Sequence, residues 1–246
     1  MTALRSPETL PPEDPLPLQG PPLIQQTWRD MLFVHWPLAP ESVVHLFPSG
    51  TRPDTYAGRT YVGIVGFAVP STRVGGALGV GSMYELNVRL YSVDGSGRQG
   101  VVFLSMDVTR PDMVLVARSL PRLPYLWSHL EPIRPAPAVA GFRIRRRLPP
   151  RSLGWIEIEI GELLPRPSEL DLFLTLRWGL HTRTMLGTTW IPIVHPPFIL
   201  HRAQLQHVDK VLLISAGVPQ SDEAPVGVLW SPGSDAQIGW PQRSGD

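Results

Sequence analysis

The 246-residue sequence contains no cysteine. This absence excludes disulfide bonds, iron–sulfur clusters, thiolate zinc sites and cysteine nucleophiles. A chain without disulfides is typical of a reducing compartment, so we predict a cytoplasmic protein. Lysine is almost absent too, because Lys210 is the single lysine among 22 basic residues. One side-chain amine is therefore available for Schiff-base chemistry.

Charge and long apolar runs are also scarce. No basic region followed by an apolar run opens the chain, so no signal peptide is predicted. No uninterrupted apolar stretch reaches the roughly 18 residues of a membrane span, so no membrane partner is predicted. Charged residues make up 17% and the net charge is +1, which does not favour a nucleic-acid partner. The 43% of hydrophobic residues, with 8 Trp, can form a sizeable core.

Proline density and strand-like alternation divide the chain. Residues 1–22 hold seven prolines and are predicted to be a flexible arm. Residues 23–240 are predicted to form a single β-rich domain, and residues 241–246 a tail. No alternation of strands and helices favours a parallel sheet, and no glycine-rich loop leads from a strand into a helix. The predicted class is mainly β, of the α+β type, with a largely antiparallel sheet and a few short helices.

Strand and helix signals alternate along this domain. Strands are predicted around residues 28–36, 59–69, 84–91, 100–108, 142–148 and 155–161, and extended structure over residues 187–200. Short helices are predicted within residues 39–47, 110–120, 168–178 and 209–217. Ser168 and Asp209 are candidate helix N-caps, and Gly217 is a candidate C-terminal glycine. The strands at 84–91 and 100–108 are predicted to pair across a loop too long for a tight turn.

The segment YELNVRLY, residues 84–91, carries the most informative pattern. Strand alternation puts Glu85, Asn87, Arg89 and Tyr91 on one face. This face either lies outside the sheet or lines a polar cavity. In a cavity, Arg89 could hold a carboxylate bidentately and Glu85 could act as a general base, while a buried structural Glu–Arg network is the alternative.

Several blocks together resemble a known family. They are LFVHWPL, ELNVRLY with GVVFLSMDV, ARSLPRLPYLW, LTLRWGLHTRTMLGTTWIPIVHPPFILHRAQL and LWSPGSDAQIG. The set resembles the YqjF-like family of uncharacterised bacterial proteins over about residues 24–240. That family is related in fold to acetoacetate decarboxylase, which implies a closed antiparallel β-barrel or cone around an internal cavity. Acetoacetate decarboxylase-like enzymes form an imine on a lysine beside a second lysine; this chain lacks the pair, so no imine chemistry is expected.

Candidate ligand-binding residues surround the polar row. Trp36, Phe103 and Tyr125 are predicted to supply an apolar wall. Arg118 could also line the pocket under the resemblance, although a cap on a helix C-terminus is the simpler role. Ser105, which shares a face with Asp107, is predicted to add to the polar lining.

The histidines and the remaining arginines carry weaker signals. His195 could contact the ligand, or could fix a bend before two prolines. The spread of His181, His195, His201 and His207 lacks converging spacing, so no metal is predicted, and no cofactor is. Arg143, Arg145 and Arg147 share one strand face and are read as a solvated edge. No Gly-x-Ser-x-Gly elbow supports a serine hydrolase.

Two functions stay open on the sequence. The first is a binding or enzymatic domain for a small organic ligand, expected to be an anion, with Arg89 holding the charge. An enzyme of this kind would perform proton-transfer or lyase-type chemistry without an imine. The second is an interaction or scaffold protein whose barrel is filled by side chains. Homo-oligomerisation is open in both cases.

Overall fold

Strands dominate the protein. The computed structural model describes residues 10–119, 123–149, 151–184, 187–220 and 222–244, with no side chains for 116–119. Its strands are β1 (Ile24–Leu38), β2 (Thr51–Pro53), β3 (Thr60–Val74), β4 (Leu78–Gly79), β5 (Met83–Asp94), β6 (Gln99–Val108), β7 (Tyr125–Ile133), β8 (Val139–Arg146), β9 (Leu153–Leu163), β10 (Gly179–Thr184), β11 (Gly187–Val194), β12 (His201–Val208), β13 (Val226–Ile238) and β14 (Gln242–Arg243). Its helices are α1 (Pro111–Ser119), α2 (Glu169–Thr175) and α3 (Val211–Ile214), besides two 3-10 turns at Pro40–Ser42 and Val44–Leu46.

One sheet contains these strands and closes on itself. Following the pairings from β5 through β6, β7, β8, β9, β12, β13, β1 and β3 returns to β5, a ring of nine strands. Most pairs are antiparallel, whereas β6 pairs in parallel with β7 and with β10. The predicted class, mainly β with a closed and largely antiparallel sheet, is confirmed.

The even-numbered positions of β5 face the interior of this ring. Leu86, Val88 and Leu90 are fully buried and belong to the same core cluster as Phe142 of β8 and Ile156 of β9. Because β8 and β9 lie across the ring from β5, this apolar cluster fills the space between them. Burial of such side chains stabilises the fold by about 1.5–3 kcal/mol each.

The odd-numbered positions of β5 face the opposite side. There β10 and β11 join β6 to β13 and close a second circuit that shares β13, β1, β3, β5 and β6 with the first. Tyr91 packs in a cluster with Phe173 of α2, Leu180 of β10 and Ile191 of β11. The shared strands are therefore covered on both faces.

The helix predictions have different outcomes. Helix α2 starts at a capping box, in which Ser168 and Asp171 exchange hydrogen bonds, as Ser168 predicted. Helix α3 is a single turn whose N-cap is Lys210. Asp209 does not cap it, because its Oδ2 accepts a hydrogen bond from the Trp155 amide. Gly217 takes the left-handed backbone expected after a helix, with φ of 81°.

The hairpin of β5 and β6 is tighter than predicted. Both strands continue beyond the apolar core, so residues 95–98 alone join Asp94 to Gln99. Asp94 closes this loop, since its Oδ1 accepts hydrogen bonds from the amides of Ser96 and Arg98. A side chain that replaces backbone acceptors in this way favours a short turn.

The chain ends contact the sheet where they are described. Residues 10–22 form no strand, and the carbonyl of Pro12 accepts a hydrogen bond from Trp178 Nε1 at 2.7 Å. The amide of Leu23 donates to Ile238 O, and β14 pairs with β11. None of the helices in the described parts of the chain has the length and apolar character of a membrane span.

Candidate functional site: a buried cluster around Arg89

The polar row of β5 lies inside the protein. Glu85 is 4% exposed, Asn87 2% and Tyr91 0%, while Arg89 is half-buried. The strand pairs with β3 on one side and β6 on the other, and its odd-numbered face is covered by α2. An exposed sheet face is thereby excluded.

Tyr91 and His35 form the innermost contact of this cluster. His35 lies on β1, and its Nε2 is 2.7 Å from the Tyr91 hydroxyl. Its Nδ1 is 2.9 Å from the carbonyl oxygen of Gly227. Burial, together with the nearby Arg89 charge, lowers the pKa of His35 to about 3, so the ring is neutral. A carbonyl can only accept, so Nδ1 carries the proton and the Tyr91 hydroxyl donates to Nε2.

The C-terminus of α2 points into the cluster. The last carbonyls of a helix have no partner within the helix, and here side chains satisfy them. Phe173 O accepts from Arg177 Nε at 2.9 Å. Leu174 O lies 3.3 Å from Arg89 Nη2 and 2.9 Å from the Tyr91 hydroxyl. The hydroxyl has one proton, which we assign to the bond with His35. Leu174 O therefore accepts its hydrogen bond from Arg89 Nη2.

The two arginines of the cluster differ in their partners. Arg177 is 5% exposed, and its Nη1 lies 2.5 Å from Oδ2 of Asp54. Its guanidinium also stacks on the Phe173 and Tyr91 rings, 4.2 and 4.8 Å from their centroids. Arg89 has no carboxylate within 4 Å among the described residues, and its buried Nε has no hydrogen-bond partner there.

Glu85 occupies the other end of the row. Asn87 Nδ2 donates to Glu85 Oε1 at 3.0 Å, whereas the buried Asn87 Oδ1 has no partner in the described structure. Burial raises the pKa of Glu85 to about 7, although Asn87 and Arg89 act in the opposite direction. Burial and the Glu85 charge raise the pKa of Tyr125 well above its usual value of 10. The Glu85 carboxyl therefore titrates near neutrality, and the Tyr125 phenol is close enough for their charges to interact.

Aromatic rings border Arg89. The Arg89 guanidinium lies 5.8 Å from the centroid of Phe33, and Phe33 contacts Phe198 at 5.5 Å. His195 stacks on Phe198 at 4.4 Å. Phe103 pairs directly across from Arg89 on β6, so the two side chains share a face.

His195 serves the local backbone as well. Its Nδ1 lies 2.7 Å from the carbonyl of Pro196, which is the bend-fixing contact considered from the sequence. Burial is the largest cause that lowers its pKa to about 4, and the Arg89 charge adds to it. The imidazole is therefore neutral, and Arg89 is the positive charge next to it.

Trp36 and Ser105 lie on the other face of the sheet, which corrects their predicted placement. Trp36 pairs with Val62, the partner of Leu90, and packs in the apolar ring interior. Ser105 pairs with Val88 because the register of β6 shifts between the partners of Val88 and Arg89. The extra residue at this bulge reverses the alternation, which sequence periodicity could not show.

The same shift removes Asp107 from the polar row. Asp107 pairs with Leu86 and forms a buried ion pair with Arg146, 2.8 Å from Nε to Oδ1. Ser128 also donates to Asp107. Arg118 lies in α1, among the residues whose side chains the structure does not describe, so its predicted role lies outside the described side chains.

Lys210 lies apart from the cluster around Arg89. Lys210 Nζ lies at the surface, 3.3 Å from Asp222 Oδ1, and lines a pocket with Trp36 on the apolar face. In the described parts of the chain, no three His, Asp or Glu side chains converge as metal ligands would.

Sequence reasoning gave no role to four members of the cluster, which are His35, Asp54, Arg177 and Tyr91; of these it placed only Tyr91, in the polar row. Two of them carried a usable signal, because strand alternation places His35 with Phe33 and Tyr91 with Arg89. Asp54 and Arg177 carried none. Residue 54 follows the three-residue strand β2 and residue 177 follows α2, so their meeting depends on tertiary packing.

Comparison with solved structures relates this fold to acetoacetate decarboxylase. The enzyme from Legionella pneumophila superposes with a TM-score of 0.62 at 11% identity, covering 98% of this chain and 92% of its own. The enduracididine biosynthesis enzyme MppR, complexed with pyruvate, gives 0.59 at 12% identity over 95% and 98%. An acetoacetate decarboxylase-like enzyme from Sphingomonas wittichii RW1 gives 0.57 at 14% identity over 91% and 94%. These likenesses establish the fold.

Sequence comparison gives the family. The chain is 27% identical over 206 residues to the uncharacterized protein YqjF of Bacillus subtilis strain 168, covering 81% of this chain and 85% of that protein. Residues 25–235 match the DUF2071 model, whose members are described as an uncharacterized conserved protein. The match spans both circuits of the sheet and the cluster around Arg89, and the chain belongs to the DUF2071 family.

Proposed function

We propose that the cluster binds a small organic anion whose carboxylate pairs with Arg89. The observation that carries this proposal is the half-buried Arg89 guanidinium, which has no carboxylate partner among the described residues and an unsatisfied Nε. An unpaired buried charge is costly, and a bidentate carboxylate would satisfy it.

The charges around Arg89 support an anionic ligand. The Arg177 charge is balanced by Asp54, and the low pKa values keep His35 and His195 neutral. Glu85 is uncharged below a pH of about 7. Arg89 therefore leaves the cluster with a net positive charge below a pH of about 7, and an anion entering it would neutralise that charge.

Glu85 supplies the chemistry if the protein is an enzyme. A carboxyl with a pKa of about 7 can both donate and accept a proton at physiological pH. Asn87, which donates to Glu85, leaves its own Oδ1 free to accept from a ligand hydroxyl. We propose proton transfer or lyase chemistry on a small carboxylic acid, without an imine, since the one lysine is at the surface.

The fold neighbours suggest which acids to test first. MppR has been solved with pyruvate bound, and an enzyme of the same fold acts on a keto acid by name, acetoacetate decarboxylase. Keto acids and hydroxy acids of this size would place a carboxylate on Arg89 and a carbonyl or hydroxyl towards Asn87 and Glu85.

Thermal unfolding with a panel of small carboxylic, keto and hydroxy acids tests this proposal. A ligand at about 100 times its dissociation constant adds about 2.7 kcal/mol to the unfolding free energy, which raises the midpoint by several degrees. The shift should disappear in Arg89→Gln and persist in Arg73→Gln, an exposed arginine on neighbouring β3. A folded Arg89→Gln variant that keeps the shift would overturn the site. No shift with any acid would favour the interaction or scaffold protein.

A further inference from the structure

An arginine-rich cleft lies at the end of the β8–β9 hairpin, apart from the cluster around Arg89. It is a shallow cleft that opens widely to solvent, with a volume of about 460 Å³. It is lined by Arg145, Arg146, Arg147, Arg151, Ser152 and Leu153. The hairpin positions both sides of the cleft, because the Arg146 amide donates to Ser152 O at 2.9 Å.

Three of the four guanidinium groups in this cleft carry uncompensated charge. The charge of Arg146 is balanced by Asp107. Its Nε and Nη2 each donate to that carboxylate at 2.8 Å, and both side chains are buried. Arg145, Arg147 and Arg151 are exposed and have no carboxylate within 4 Å in the described parts of the chain.

Ser152 adds an independent sign of a missing partner. The residue is 7% exposed, and its hydroxyl has no hydrogen-bond partner among the described groups. Buried hydroxyls are normally satisfied, because an unmade hydrogen bond costs about 1–3 kcal/mol. The Ser152 oxygen has almost no surface open to solvent, so a ligand oxygen in the cleft would reach it only after neighbouring side chains move aside.

We propose that this cleft binds the phosphate group of a small phosphorylated molecule. A phosphate offers several acceptor oxygens and more than one negative charge, which matches three planar guanidinium donors and one hydroxyl. A carboxylate has too few oxygens to satisfy all four. The cleft is separate from the Arg89 site, because Arg146 reaches Asp107 on the opposite face of the β5–β6 pair.

Titration calorimetry with pyrophosphate and with inorganic phosphate tests the proposal on the full chain. The wild type should bind pyrophosphate, and Arg151→Gln and Arg145→Gln should each weaken the affinity about tenfold or more, the usual effect of losing a charged hydrogen bond. Ser152→Ala should weaken it less. Arg143→Gln, an exposed arginine on the same strand outside the cleft, should leave it unchanged.

Three results would overturn the phosphate site. The first is no binding of either anion by the wild type, and the second is equal weakening by Arg143→Gln, which would indicate diffuse charge attraction. The third is binding of a single-stranded oligonucleotide without any binding of pyrophosphate. Arg89→Gln should not alter pyrophosphate binding, and unchanged unfolding midpoints would show that each variant is folded.

Discussion

The Tyr91 hydroxyl lies 2.7 Å from Nε2 of His35 and 2.9 Å from Leu174 O, and we assign its single proton to Nε2, which has no other donor among the described residues. This bond depends on the neutral ring, whose other nitrogen donates to Gly227 O. It joins β5 to β1 across β3, at a point where both side chains are fully buried. Hydrogen bonds therefore stabilise the cluster together with packing, because the neutral His35 ring offers one donor nitrogen and one acceptor nitrogen.

Removal of the Tyr91 hydroxyl should destabilise the protein. Tyr91→Phe would leave Nε2 of His35 buried without a donor, which costs about 1–3 kcal/mol of unfolding free energy. Chemical denaturation measures this change. Tyr56→Phe is the control, because that hydroxyl binds the exposed carboxylate of Glu169 and should change stability by less than about 0.5 kcal/mol. Equal effects of the two variants would show that the His35 bond is not retained in solution.

Gly63 provides the space in which this contact forms. It lies on β3 between His35 and Arg89, and a Cβ there would come within 2.7 Å of His35 Cδ2 and 3.3 Å of the Tyr91 hydroxyl. Gly63→Ala should therefore displace the imidazole and cost about 1–3 kcal/mol, the usual effect of overpacking. Gly79→Ala, whose Cβ would meet nothing within 4 Å, is the control. An unaffected His35 imidazole signal in NMR spectra of Gly63→Ala would contradict this account.

Buried histidines should make the protein acid-sensitive. Burial is the main cause that lowers the pKa of His35 to about 3 and of His181 and His195 to about 4. Between pH 6.5 and 4.5 these three rings are protonated in the unfolded chain only, so acid favours unfolding. Glu85 acts the other way, because its raised pKa of about 7 means that the folded state alone binds its proton in this window. On unfolding, the three histidines take up about three protons and Glu85 releases about one, so the chain takes up about two protons.

Denaturation curves between pH 7 and 4.5 measure this balance. The unfolding free energy should fall as the pH falls, by up to about 3 kcal/mol per pH unit. Glu85→Gln removes the opposing proton, so its stability should fall more steeply with acid than that of the wild type. A stability that is flat over this window would show that the histidines are solvated and protonated in the folded state.

Strand alternation predicted which residues of β5 share a face, but not which residues of the neighbouring strands lie beside them. Alternation in residues 84–91 identified Glu85, Asn87 and Arg89 as one face, because an unbroken strand has a strict period of two. Ser105 and Asp107 were assigned to that face and lie on the other, since one bulged residue in β6 changes every later position. Such a bulge has no signature in the sequence of FLSMDV.

Long-range partners were beyond local patterns for a different reason. Asp54 and Arg177 are 123 positions apart in sequence, and neither lies in a periodic segment that would reveal its direction. Trp36 alternates correctly along β1, but both faces of that strand are buried. Periodicity then separates the two faces without indicating which one lies on the side of Arg89. That side is set by the second circuit, which closes through β10 and β11.

The charge of Glu85 should set the pH dependence of ligand binding, if the proposed anion site is right. Glu85 is neutral below a pH of about 7 and ionised above it, and its negative charge would then oppose an anion bound at Arg89. Affinity for a carboxylate should therefore fall as the pH rises from 6 to 8. The fall should be on the order of tenfold, because Glu85 and Arg89 are four residues or about 13 Å apart along the strand and the site is partly buried. Calorimetric titrations of the acid found in the thermal screen measure it, since such acids stay ionised throughout. Glu85→Gln should bind with an affinity that does not change over this range. An affinity that rises with pH would contradict this prediction. It would mean that ionised Glu85 accepts a hydrogen bond from a hydroxyl of the ligand.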